Sequence, residues 1–151
     1  SKEKPLETVK LNVLGTATYV GESGSGQITK LANQAIVGIT IGAVSEAIIL
    51  AKTAGVDPLS LLKALQGGFA DSKILQIHGK RMIDNNYTPG GLSSTQLKDM
   101  NNILSTAKKN NLKLPLSRKV QEIFKSLVKN GNGNDDHSAF YKELKRLNKK
   151  K

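Results

Sequence analysis

The sequence predicts an all-α domain, and three observations carry that expectation. A run of about 28 residues, from Gln27 to Ala54, is apolar around most of its circumference, which at 1.5 Å per residue makes a helix of roughly 40 Å. Beyond it, start and stop signals recur at helix-sized intervals: Asp57-Pro58, Gly67-Gly68, Pro115 and Asn130-Gly131. Only Thr16 to Val20, β-branched and aromatic, reads as a strand.

Taken in order, Leu6, Val9 and Leu14 are spaced as on a short helix that Gly15 would stop. The strand at Thr16–Val20 has no partner in sequence, and a lone strand cannot satisfy its own backbone. Residues 1–20 are therefore expected to be the remnant end of a domain whose other strands lie elsewhere. Gly21-Glu22-Ser23-Gly24-Ser25-Gly26 is a flexible turn leading into the long helix. A helix so apolar on all sides is expected to be covered by neighbours, a second subunit among them. Gly38 and Gly42, four apart, would permit a close helix crossing. Ala32 to Ala51 is apolar enough to raise a membrane question. Asn33, Gln34, Ser45 and Glu46 within it favour a buried helix, since intramembrane charge is costly.

Gly55 stops the long helix, and Asp57 with Pro58 supplies an N-cap and first-turn proline for the next, ending at Gly67-Gly68. Asp71 or Ser72 then caps a helix reaching about Asp84. A loop over 85–91 contains Pro89-Gly90-Gly91, and Ser93 or Ser94 opens a helix to about Lys109. Further helices are expected from Pro115 to Lys129 and from His137 to Leu147. The organisation is thus a remnant over 1–20, a helical domain over 21–147 and a basic tail over 148–151.

Composition narrows the function classes. With 38% hydrophobic residues, 4% aromatic and no Trp, the core must be built mainly from Ile, Leu, Val and Ala. No Cys is present, which excludes disulfides and thiolate metal sites. His78 and His137 match no metal-ligand spacing, so no metal is expected. With no Cys a reducing, cytoplasmic setting is expected, and the start at Ser1 shows no apolar signal-like stretch. The net charge of +11 is spread over the chain apart from the cluster Lys145 to Lys151. No aromatic residues are interleaved for base stacking, so a solvated surface is favoured over nucleic-acid binding.

The stretch Gly21-x-x-Gly24-x-Gly26-x-x-x-Lys30-x-x-Asn33-Gln34 resembles the signature of the β-hydroxyacid (3-hydroxyisobutyrate) dehydrogenases. Ser45-Glu46-Ala47, Lys52-x-x-Gly55-x-Asp57, Leu65-x-Gly67-Gly68-x-Ala70-x-Ser72, Tyr87-x-Pro89-Gly90, Lys98-Asp99 and Asp136-His137-Ser138-Ala139 extend the resemblance, in order, over about Val20 to Leu147. It implies the helical C-terminal domain of the phosphogluconate dehydrogenase-like type, in an enzyme whose nucleotide-binding domain lies outside these residues. It further implies NAD or NADP as cofactor, held mainly by that other domain, and a small anionic hydroxyacid or its semialdehyde as substrate. Lys30-Leu31-Ala32-Asn33-Gln34 is nearest the branch acting on tartronate semialdehyde, with 3-hydroxyisobutyrate or other semialdehydes next.

By that resemblance Lys30 is the general acid/base, delivering a proton to the alkoxide formed by hydride transfer. Positions 30, 33 and 34 share one helix face, so Asn33 or Gln34 can hydrogen-bond substrate beside Lys30. Gly24 and Gly26 would let backbone approach the substrate, and Lys98 and Asp99 would meet the cofactor. Two departures stand out: Gln34 where relatives often carry Asn, and Gly91 where they often carry Phe. Asp136 and Ser138 read as helix caps rather than a proton relay. A homo-oligomer through the long helix is expected, and no membrane or nucleic-acid partner. The rival reading is a non-enzymatic helical interaction module, against which the retained Lys30 argues.

Overall fold

A computed structural model describes residues 18–149. The chain divides into two compact units, Ser1–Lys30 and Leu31–Lys151. The helices are α1 (Ser25–Thr53), α2 (Pro58–Leu65), α3 (Lys73–Ile83), α4 (Ser93–Lys109), α5 (Pro115–Leu127) and α6 (Phe140–Leu147). A π-helical turn (Val128–Asn132) follows α5, and a 3-10 turn (His137–Ala139) precedes α6.

Helix boundaries follow local chemistry. Thr53 ends α1, and Gly55 then adopts φ +84°, a left-handed conformation that a side chain would strain. Asp57 caps α2 by accepting from the Ser60 amide at 2.8 Å, with Pro58 in the first turn. Between the two caps considered for α3, Ser72 does the work, accepting from the Leu75 amide at 3.0 Å. Asp71 instead accepts from the Gly67 amide and the Gln76 side chain, which fastens the turn before α3.

Among the described residues no strand forms. Thr18, Tyr19 and Val20, three of the five residues of the expected strand, carry no regular structure and are exposed, because the described residues offer no partner strand to pair them. The rest of that segment, the helix expected at Leu6–Leu14 and the last two residues of the basic tail lie outside the described residues.

In the larger unit α1 packs one face inward, through Gly38, Ile41, Gly42, Val44, Ser45, Ile48 and Ala51. The two glycines set how close the neighbours come. A Cβ on Gly38 would stand 3.0 Å from both Gln96 Nε2 and Met100 Sδ, and one on Gly42 would stand 3.5 Å from the Phe140 ring. Phe140 in turn meets Phe124 edge to face, with centroids 4.9 Å apart. Met82, Met100, Phe124, Leu127 and Phe140 complete a core from which water is excluded. The cover expected all round α1 is not supplied by the described residues. Ile36 is 66% and Leu50 73% exposed on its outer side. By length and apolarity α1 would suffice to cross a membrane, but 39% of its apolar stretch is buried in the fold.

Glu143 on α6 is a buried charge with full compensation. Its carboxylate accepts from Arg146, from Ser126 Oγ at 2.6 Å and from Asn130 Nδ2 at 3.2 Å. The Arg146 guanidinium foremost, against the opposing effect of burial, holds its pKa down to about 2. A carboxyl depressed on folding stabilises the fold above its unfolded pKa and loses that contribution as pH falls through the folded one. Chemical denaturation at stepwise lower pH should therefore show stability falling from near pH 4.5 towards pH 2. Glu143→Gln should be less stable at pH 7 and should lose less on acidification.

Candidate functional site

The site residues singled out in the sequence fall in both units. In the first, Ser25 N donates to Glu22 O at 3.0 Å and Gln27 N to Gly24 O at 3.1 Å, so the turn leads directly into α1. Gly24 sits at φ +92°, where only glycine is unstrained, and no heavy atom lies within 4 Å of the Cβ position of Gly24 or Gly26. Val20, Ser23, Gly24, Ser25, Ile28 and Thr29 line an open cleft of about 500 Å³. Lys30 is exposed on α1.

In the second unit the structure joins three of the expected residues. Gln34 Nε2 donates to Asp99 Oδ2 at 2.6 Å, and Asn33 Nδ2 donates to Gln34 Oε1 at 3.1 Å. Gln96 Nε2, buried, donates to the Gln34 backbone carbonyl at 3.2 Å. This chain of amides ties α1 to α4 and fixes the Gln34 side chain; Asn33 and Lys98 stay exposed beside it. The extra methylene of Gln34 relative to Asn gives the reach that the Asp99 contact uses. A larger cleft of about 940 Å³, with Lys108, Lys113 and Arg118 among its lining, lies between the end of α4 and the start of α5 and contains none of these residues.

A second polar cluster was not foreseen as a unit. Asp136, wholly buried, accepts from Gly90 N (2.9 Å), Gly91 N (3.1 Å), Ser138 N (3.0 Å) and Ser138 Oγ (2.6 Å). The amide of Asp136 donates to Tyr87 O, and His137 N to Gly91 O. Arg81 NH1 stands 3.3 Å from Asp136 Oδ2 and donates to Thr88 O at 2.6 Å. Asp136 is thus the cap expected of it, but it also holds the 87–91 loop; Ser138 serves it as a donor and caps nothing itself. Burial pushes the Asp136 pKa up, yet His78, Ser138 and the Gly90 amide outweigh burial and hold the carboxyl well below its usual range.

The two histidines, 59 residues apart in sequence, also meet here, with Nε2 atoms 3.1 Å apart. His78 Nδ1 is 3.5 Å from Asp136 Oδ1. Burial foremost, and then His78, hold the His137 imidazole below its ordinary pKa. Local sequence signals could not show the pairing, because it joins α3 to a turn from the far end of the chain. Gly91 lies against the same ring: a Cβ there would stand 3.3 Å from His137 Cε1.

One long helix whose inner face meets side chains of α3, α4, α5 and α6 belongs to the helical domain of a hydroxyacid dehydrogenase-type fold. A solved 3-hydroxyisobutyrate dehydrogenase from Salmonella typhimurium superimposes with a TM-score of 0.82 at 27% identity, over 87% of this chain and 47% of that one. Residues 24–144 match the family described as NAD-binding of NADP-dependent 3-hydroxyisobutyrate dehydrogenase, and the chain belongs to that family. It is 44% identical over 94% of its length to 2-hydroxy-3-oxopropionate reductase of Escherichia coli K12, covering 50% of that protein. It is 32% identical over 91% of its length to a probable 3-hydroxyisobutyrate dehydrogenase-like protein, mitochondrial, of Arabidopsis thaliana, covering 41% of it. The chain therefore spans about half the length of the curated relatives it matches.

Proposed function

We propose that this chain is the helical part of an NAD(P)-dependent reductase that interconverts a small β-hydroxyacid and its semialdehyde, tartronate semialdehyde and glycerate first. The observation that carries the reading is Lys30, exposed on α1 just after a glycine turn in which Gly24 lines an open cleft and the Cβ positions of Gly24 and Gly26 face open space. The 44% identity to a 2-hydroxy-3-oxopropionate reductase supports the choice of substrate class.

In this reading Lys30 hydrogen-bonds the aldehyde oxygen and gives it a proton as negative charge develops there; in the reverse direction it takes the proton back. Asn33 offers its amide to the substrate hydroxyl or carboxylate. Gln34, held by Asp99, keeps Asn33 in place and has one amide hydrogen left for the same anion. When bound, the nicotinamide cofactor supplies the hydride. The residues present fit such a group: exposed Lys98 offers a cation on α4, next to an Asp99 whose carboxylate is already fixed by Gln34. A nucleotide-binding fold outside these residues holds most of the cofactor, so the 151 residues alone do not turn over. A cytoplasmic setting and assembly into a dimer or tetramer through the outer face of α1 belong to the same proposal.

The test is NADH and NADPH oxidation by the full-length protein against tartronate, methylmalonate and succinate semialdehydes and glyoxylate. Turnover of tartronate semialdehyde, with kcat/KM highest among the four, is expected. A folded protein inactive on all of them would instead favour a helical interaction module.

A further inference from the structure

None of His78, His137 and Asp136 is assigned a part in hydride transfer. His78 and Arg81, three apart on α3, project to the same side, where the 3-10 turn brings His137 and Asp136. The imidazole planes cross at 84°, with ring centroids 4.5 Å apart. Their Nε2 atoms stand 3.1 Å apart. A tetrahedral zinc ion with Zn–N bonds near 2.0–2.1 Å separates two ligand nitrogens by about 3.4 Å, so the nitrogens already stand close to that spacing and the rings need to splay by less than about 1 Å to aim both at one ion. Behind the first ring, His78 Nδ1 is buried and makes no hydrogen bond, with Asp136 Oδ1 3.5 Å away. A carboxylate facing the remote nitrogen of a ligating histidine fixes its tautomer and raises its basicity.

We propose that His78 and His137 form a binding site for one borderline divalent cation, Zn²⁺ by chemistry, through their two Nε2 atoms, with Asp136 behind His78 as the orienting carboxylate. The 3.1 Å contact between the two Nε2 atoms is a hydrogen bond when one ring carries the proton between them. On binding, the proton between them moves to Nδ1 of His137, while His78 keeps its Nδ1 proton facing Asp136. No proton is lost, and two neutral imidazoles face the ion. Arg81 is matched by Asp136 Oδ2, so its charge is balanced where it stands. Water completes the shell from the solvent side, where His78 remains 15% exposed. The ion would pin α3 to the segment that opens α6. Its role is to hold structure, independent of the reductase reading.

Composition makes the test clean, since the chain has two His and no Cys. Zinc chloride is titrated calorimetrically into the protein in chelator-free buffer near pH 7. One Zn²⁺ per chain is expected, with at least about tenfold weaker binding in His78→Gln and in His137→Gln, each checked for its helical circular dichroism. Should a variant fail to fold, long-range ¹H–¹⁵N spectra of the unaltered protein decide. Zn²⁺ should shift the Nε2 resonances of both histidines and move His137 to its Nδ1–H tautomer. No binding at millimolar Zn²⁺, a shift in only one ring, or unchanged affinity in folded variants would overturn the site.

Discussion

Lys30→Ala in the full-length protein should lower kcat on its semialdehyde by about a hundred- to ten-thousand-fold, the range for loss of a general acid. The substitution separates chemistry from folding unusually well. Lys30 is exposed on α1, and alanine is the best helix former, so the helix itself should not weaken. Melting temperature should therefore stay close to that of the parent while turnover collapses. If Lys30 acts mainly on the developing alkoxide, kcat and kcat/KM fall together; if it only anchors the substrate, KM rises with kcat intact. The second pattern, measured in steady-state assays across substrate concentration, would remove Lys30 from the proton-transfer step.

The largest effect on stability is expected from Asp136→Ala, a loss of about 3–5 kcal/mol, as when one partner of a buried charge network is removed. The variant loses four hydrogen bonds to one wholly buried carboxylate and leaves the Gly90 and Gly91 amides without their acceptor. Arg81 loses its counter-charge at the same time. For a domain of this size the midpoint of thermal unfolding should fall by roughly 10 °C. The pH dependence adds a second signature. The Asp136 carboxyl is held below its usual range in the fold. Its contribution is complete above the unfolded value of about 3.9 and fades as pH falls through the folded value. The gap between parent and variant should hence be widest near neutrality and narrow in strong acid. A gap that does not change with pH would mean that packing, not charge, is what Asp136 supplies.

Local chemistry made the helices legible. Asp57-Pro58, Ser72 and Gly55 each act through atoms within a few residues, so their meaning is present in a short window of sequence. Gly38 and Gly42 were readable for the same reason, as a spacing that leaves one helix face bare. Pairings across the fold were not. The Gln34–Asp99 bond spans 65 residues and the Gly90–Asp136 bond 46, and no periodicity announces either. Asp136 could be read as a cap because Ser138 is two residues away; its hold on the glycine loop came only from the fold. Thr18 to Val20 of the expected strand carry no regular structure for a related reason, since β-branched residues favour a ladder but cannot supply the neighbour.

The hold of Asp136 on the loop also sets an order of events in the cell. Residues 87–91 leave the ribosome well before residue 136 does, and until then Gly90 and Gly91 have no carboxylate to close on. The loop that introduces α4, and with it Lys98 and Asp99, takes its final shape only once residue 136 has been made. A nascent chain can build its long helix early, yet it cannot finish this corner until Asp136 is present.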